Sequence, residues 1–232
     1  MSNFFSIDYM LSSFPILLSY VDVTIEVTII SILAGVFIGC SVALIRIHKI
    51  PVLNRICVIY VSFVRGTPFL VQLFLICFGL PQVLTAFGAG SVRSLPGLMF
   101  VFIVMSLHEG GYISEVMRGS ILAIDKGQLE ACKSVGMTTF QAYTRIIIPQ
   151  AFRIAIPALS NNVISTLKST SLIFNVGVVD MMSKADLMGT YSFRHFELYV
   201  DVGIIYLILC FIVYICTTIL ERKLKLQHLK TT

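Results

Sequence analysis

Apolar residues gather into long runs along this chain, and polar residues are confined to the short gaps between them. A helix needs about 20 mostly apolar residues to cross the roughly 30 Å hydrocarbon core of a bilayer. Five stretches approach that length, at about 23–45, 56–80, 95–117, 146–179 and 199–220. The first places Gly35 and Gly39 four residues apart, a spacing that lets two helices approach closely. Arg65-Gly66-Thr67-Pro68 interrupts the second, and the third carries His108, Glu109, Gly110 and Gly111. The fourth contains Pro149, Arg153, Pro157 and Lys168, and the fifth is clean. Between the third and fourth lies the longest polar stretch, 119–145. There Lys126, Glu130 and Lys133 share one helical stripe, with Leu129, Cys132 and Gly136 on the next. The pattern predicts an all-α membrane protein forming a single domain over 1–232, without sequence repeats or low-complexity linkers.

Composition points the same way. Of 232 residues, 57% are hydrophobic and 12% charged, whereas soluble domains carry about 25% charged residues. A chain this apolar cannot cover itself in water, which excludes a soluble enzyme, a disordered regulator and a disulfide scaffold. Lys and Arg number 17 against 12 acids. In a soluble domain such an excess suggests nucleic acid. Here the cations lie between the apolar runs, where the positive-inside rule accounts for them, and no nucleic-acid partner is expected. With the N-terminus outside, twelve basic residues fall in inner segments and only Arg93, Lys184 and Arg194 in outer ones. The chain is therefore expected to cross five times, N-terminus out and C-terminus cytoplasmic. Met1–Ser19 contains Asp8 but no Lys or Arg. It lacks the basic start of a cleaved signal peptide, so the first apolar run is expected to stay and span. Six cysteines form no CxxC pair and read as small buried hydrophobes, implying neither disulfide nor metal.

The chemical motifs of an enzyme are missing. There is no phosphate-cradling G-x-x-x-x-G-K-[ST], and no Ser/His/Asp set, H-E-x-x-H or carboxylate pair stands out. Adjacent helical positions diverge by about 100°, so His108-Glu109 reads as the lining of a polar path or a packing interface. Ionisable groups inside a membrane cost on the order of 3 kcal/mol each and usually face a cavity or bundle interior. Asp22, Glu26 and Glu115 lie near span ends, within reach of the interface, whereas Glu109 and Lys168 lie deeper. A conduit for a polar solute follows. It could be the membrane subunit of a driven transporter, or an ion-coupled transporter or channel in which the acids relay protons.

One motif separates these readings. Glu130-Ala131-Cys132, three residues, Gly136, nine residues, then Ile146-x-Ile148-Pro149 resembles the E-A-A-x3-G-x9-I-x-L-P signature of permease subunits of type I ATP-binding-cassette importers in bacteria. Cys132 replaces the second Ala and Ile148 the Leu. Arg65-Gly66-Thr67-Pro68 with Leu70-Val71-Gln72-Leu73, Glu115-Val116-Met117-Arg118-Gly119, Lys126-Gly127-Gln128 and Leu167-Lys168-Ser169-Thr170-Ser171-Leu172 resemble the polar-amino-acid subgroup, which often has Asp at the position of Ser169. The resemblance covers about 23–220, and Ser106–Leu172 is similar to cystine-type members.

The resemblance implies a cytoplasmic coupling helix between helices 3 and 4 that docks on a separate ATPase subunit, with Lys126, Glu130, Ala131, Cys132 and Gly136 at the contact. It implies that this chain binds no cofactor, ATP and Mg belonging to the partner ATPase. The implied partners are a second permease subunit, identical or homologous, two ATP-binding subunits, an extracytoplasmic amino-acid-binding protein and the lipids of a bacterial cytoplasmic membrane. A zwitterionic cargo needs an acceptor for its ammonium and donors for its carboxylate. Glu109 is the candidate acceptor, and Lys168, Ser169 and Thr170 or Asn161 and Asn162 the candidate donors. His108 joins them on the path. Arg65 and Thr67 sit at a helix break that either touches substrate or is a structural kink.

Overall fold

The computed structural model describes residues 5–88 and 96–229, and every regular element among them is helical. Arg93 and Lys230, assigned above to outer and inner segments, lie outside the described residues, as does residue 95. In chain order the elements are α1 (Ile7–Leu18), α2 (Val21–Ile47), α3 (Leu53–Gly66), α4 (Phe69–Phe74), a π turn (Leu75–Gly79), α5 (Leu80–Ala86) and α6 (Gly97–Leu122). They continue as α7 (Lys126–Ser134), α8 (Thr139–Ala142), a second π turn (Tyr143–Ile147), α9 (Ile148–Ser169), a 3-10 segment (Thr170–Val176), α10 (Met181–Ser192) and α11 (His195–Leu229).

Four helices are long and apolar enough to cross a membrane: Val21–Ile47, Phe69–Ala86, Gly97–Leu122 and His195–Lys223. Two sequence expectations change. The stretch 56–80 is not one span, because α3 stops at Gly66 and the apolar helix begins at Phe69 and runs on to Ala86. The expected span 146–179 becomes α9 followed by a 3-10 segment, and α9 is not among the four apolar helices. Its polar side chains, Arg153, Asn161, Asn162 and Lys168 among them, dilute its hydropathy.

The tightest junction joins α2 to α6. On α2 the residues Thr24, Val27, Thr28, Ser31, Gly35, Gly39 and Val42 are buried, a stripe that recurs every three or four positions as one helix face must. A Cβ on Gly35 would stand 2.7 Å from the Cβ of Glu109, and one on Gly39 would stand 2.8 Å from the Cβ of Ile113. The fit is reciprocal, since a Cβ on Gly110 would meet Ile38 at 2.6 Å and one on Gly111 would meet Val64 of α3 at 2.6 Å. Without a water-driven hydrophobic force between helices in lipid, such close backbone approach supplies the dispersion contact that holds a bundle together.

Two short helices were not anticipated. α1 and α10 both lie on α11, where Leu17, Met181, Ala185, Leu198, Val202 and Ile205 form one core cluster. Polar contacts seat α1: Ser13 donates to the buried Asp201 carboxylate (2.6 Å), and the Ser6 backbone N–H donates to Glu197 (3.1 Å). Asp180 caps α10 by accepting from the Ser183 N–H (2.9 Å).

The glycine contacts predict opposite outcomes at two helical positions. Gly39→Leu should lower stability by about 1–3 kcal/mol through overpacking. Gly203→Ala, which meets nothing within 4 Å, should raise it by roughly 0.5–1 kcal/mol. Thermal unfolding of the detergent-solubilised protein reads both.

Candidate functional site

Thr67 and Pro68 break the chain between α3 and α4, both in extended conformation. Proline carries no N–H, so the carbonyl of Val64, which Pro68 would serve in a continuous helix, is left without its donor. Gln72 supplies one. Its side chain is 4% exposed, and its Nε2 donates to the Val64 carbonyl (2.8 Å), the Thr67 carbonyl (3.0 Å) and Thr67 Oγ1 (2.9 Å). Thr67 Oγ1 in turn donates to the Phe63 carbonyl (2.8 Å). Two side chains thus satisfy three carbonyls freed by the break, as buried backbone requires.

The other end of the Gln72 amide faces α6. Gln72 Oε1 lies 2.9 Å from His108 Nδ1. The His108 ring packs edge-on against Phe69 (4.8 Å between centroids) and beside Tyr112 (4.9 Å). Arg65, half-exposed, places its guanidinium 5.9 Å from the Tyr112 ring and 3.9 Å from Glu115. Glu115 also pairs with Arg46 of α2 and with Arg118 (2.8 Å), so one carboxylate joins cations from α2, α3 and α6. Arg46, Glu115 and Arg118 were not candidate site residues. The Glu115-x-x-Arg118 spacing was the available signal, whereas the reach of Arg46 is purely tertiary. Gln72 was visible only as a letter in the motif.

Glu109, the next residue on α6, turns away from this group. It is buried between Gly35 of α2 and Thr166 of α9. Asn162, one turn before Thr166, holds a buried Nδ2 with no partner among the described residues. Asn161 and Lys168 are exposed, and Ser169 is half-buried. Thr170 is fully buried and turned toward α11, its hydroxyl 3.1 Å from that of Tyr206. The structure joins Thr67 and His108 through Gln72, sets Arg65 beside them at the Tyr112 ring, and brings Glu109 together with the Asn162–Thr166 face. It does not join the two groups within one protomer.

The polar stretch forms α7. Asp125 caps it by accepting from the Gly127 N–H (2.7 Å). Lys126, Glu130 and Ala131 are exposed, whereas Cys132 is buried on the inner side. Gly136 terminates the helix with φ +78°. Its N–H donates to the Lys133 carbonyl (3.0 Å) and that of Met137 to Cys132 (3.0 Å), the paired bonds of a left-handed stop that glycine adopts without penalty. Thr138 and Gln141 then form a reciprocal cap that opens α8. On the inner side of α7 a cleft of about 120 Å³ is lined by Ile47, Ile121, Leu129, Tyr143 and Ile147. Val135 and Phe140, on either side of the Gly136 turn, are 75% and 76% exposed.

Residues 31–226 match the family model of the binding-protein-dependent transport system inner membrane component. The chain belongs to that family. This inner-membrane component is 41% identical over 217 residues to the probable amino-acid permease protein YxeN of Bacillus subtilis (strain 168), covering 94% of this chain and 95% of YxeN. It is 38% identical over 192 residues to the L-cystine transport system permease protein TcyL of the same organism, covering 83% and 80%. Among solved structures, one chain of an amino acid ABC transporter crystallised with histidines superimposes with a TM-score of 0.83 at 30% identity, covering 94% of this inner-membrane component and 99% of that chain.

The shared carboxylate of this family member yields a prediction. Glu115→Gln removes the one acid that pairs with Arg46, Arg65 and Arg118 among the described residues. Because these groups are partly exposed, the loss should be modest, about 1 kcal/mol. The melting temperature of wild type should fall with added salt, and that of the variant should respond less.

Proposed function

We propose that this chain is the permease subunit of an ATP-driven amino-acid importer in a bacterial cytoplasmic membrane, and that its cargo is a polar amino acid, L-cystine the first candidate. The observation that carries the reading is the segment Lys126–Gly136, a short capped helix with Lys126, Glu130 and Ala131 exposed and a left-handed glycine at its end. That is the form expected of a coupling helix seated on a separate ATPase. Rigid-body motion passes better through a helix than through a loop, and α7 continues through α8 and the π turn directly into α9. Names of relatives support the cargo class, and the cystine permease among them supports the specific candidate.

In this proposal the single membrane domain crosses five times, N-terminus outside and C-terminus in the cytoplasm, with the α7 segment on the cytoplasmic side. The four apolar helices are joined by α9, whose 22 residues extend about 33 Å, enough to cross. Its polarity belongs to a helix that lines a path rather than one that faces lipid. Two permease subunits, identical or homologous, pair with two ATP-binding subunits and receive cargo from an extracytoplasmic binding protein. ATP and Mg stay on the ATPase, and this chain binds no cofactor and catalyses no reaction. Arg65, Thr67, His108, Glu109, Asn161, Asn162, Lys168, Ser169 and Thr170 are the path candidates, while Lys126, Glu130, Ala131, Cys132 and Gly136 carry the coupling contact.

The test uses the chain reconstituted in lipid nanodiscs with its ATPase and binding protein. ATPase activity should rise with cystine or another polar amino acid. Gly136→Asp should abolish the stimulation while leaving the fold intact, because no neighbour lies within 4 Å of a Cβ there and the left-handed backbone costs a side chain about 1–2 kcal/mol. Uptake that proceeds without ATPase and follows a proton gradient would overturn the proposal.

A further inference from the structure

The Gln72 amide has only one orientation that its surroundings accept. Its two Nε2 hydrogens serve three acceptors, the Val64 carbonyl, the Thr67 carbonyl and Thr67 Oγ1. Turned over, the amide would set its oxygen against two carbonyl oxygens in a buried site and would leave the Val64 carbonyl unpaired. The backbone break therefore decides where the amide oxygen points, and it points at His108 Nδ1, 2.9 Å away. A carboxamide oxygen can only accept. His108 Nδ1 must consequently carry the proton, and in a neutral ring Nε2 is then the bare nitrogen. No hydrogen bond to Nε2 forms among the described residues, and Nε2 is not one of the buried unpartnered atoms. The ring itself is held by Phe69 and Tyr112.

We propose that Gln72 is a positioning residue which sets the tautomer of His108, so that the ring presents a bare, accessible Nε2 as a hydrogen-bond acceptor for N–H or O–H donors of the cargo. Pro68 is part of the same device. By withholding a donor from Val64 it creates the demand that orients Gln72, and Gln72 passes that orientation on to a histidine on another helix. A break that would otherwise be a kink thereby selects for donor-bearing solutes at His108. The proposal rests on the reading of this chain as a polar-solute permease, but its first test does not.

That test is ¹⁵N solid-state NMR of the histidine-labelled full chain in nanodiscs, with the His108 signals assigned by difference against His108→Gln. The expected spectrum shows a neutral ring, protonated at Nδ1 and bare at Nε2. Gln72→Leu, which offers Nδ1 no acceptor, should free the ring to take the tautomer protonated at Nε2. A wild-type ring bare at Nδ1, or charged, overturns the proposal, as does a Gln72→Leu spectrum identical to wild type. Transport then reads the consequence. His108→Phe keeps the aromatic packing but offers no acceptor and should lower uptake on the order of 10-fold, the value of one lost hydrogen bond. His108→Gln restores an acceptor and should recover most of it. Wild-type uptake in the His108→Phe variant would also overturn the proposal. If no cargo is carried at all, the polar-solute reading fails while the tautomer result stands by itself.

Discussion

A buried backbone carbonyl deprived of its donor has no water to turn to, and each such group left bare is costly. That constraint governs this chain at Arg65–Pro68. A proline there obliges the protein to find donors elsewhere, and it finds them on the side chains of Gln72 and Thr67. The arrangement has reach, because Gln72 must be buried to act, and burying it places its oxygen against α6. From that contact follow the seating of His108 and the packing of Phe69 and Tyr112 around it. This part of the polar interior is assembled outward from one missing hydrogen bond.

The second support is steric. Glycines on α2 and α6 let the two backbones close to distances at which even a methyl group would collide, and α3 joins them through Gly111 and Val64. A core packed at this density does not deform smoothly; it moves between discrete arrangements or as a rigid body. That suits a domain expected to be driven from outside through α7. The small-residue contacts make α2, α3 and α6 one unit, while α9 enters through a π turn, a geometry often found where helices serve a function.

The strong periodic features were legible in the letters. The apolar runs marked α2, α6 and α11, Pro68 marked the break, and the Gly35/Gly39 spacing marked the close face of α2. Gly136 stood out only by its place in the motif, and the structure shows it in a left-handed conformation. Less could be read where tertiary contact overrides local pattern. α1 and α10 are too short to register as spans and are held by α11 rather than by their own propensity. α9 was expected as an apolar span, but its polar residues keep it out of that class. At the candidate site His108 and Glu109 are neighbours in sequence, yet the helix sends them to different partners. Gln72 carried no signal beyond its place in a motif, because its role depends on a carbonyl four residues before a proline and on a histidine 36 residues further along.

The contact between Ser13 and Asp201 spans 188 positions of the chain. A ribosome therefore delivers α1 to the membrane long before the helix that will seat it exists. Until α11 arrives, α1 lacks much of its apolar bed and the carboxylate its serine bonds, and at 12 residues it is too short to cross by itself. Its docking is a contact that can form only after α11 has been made.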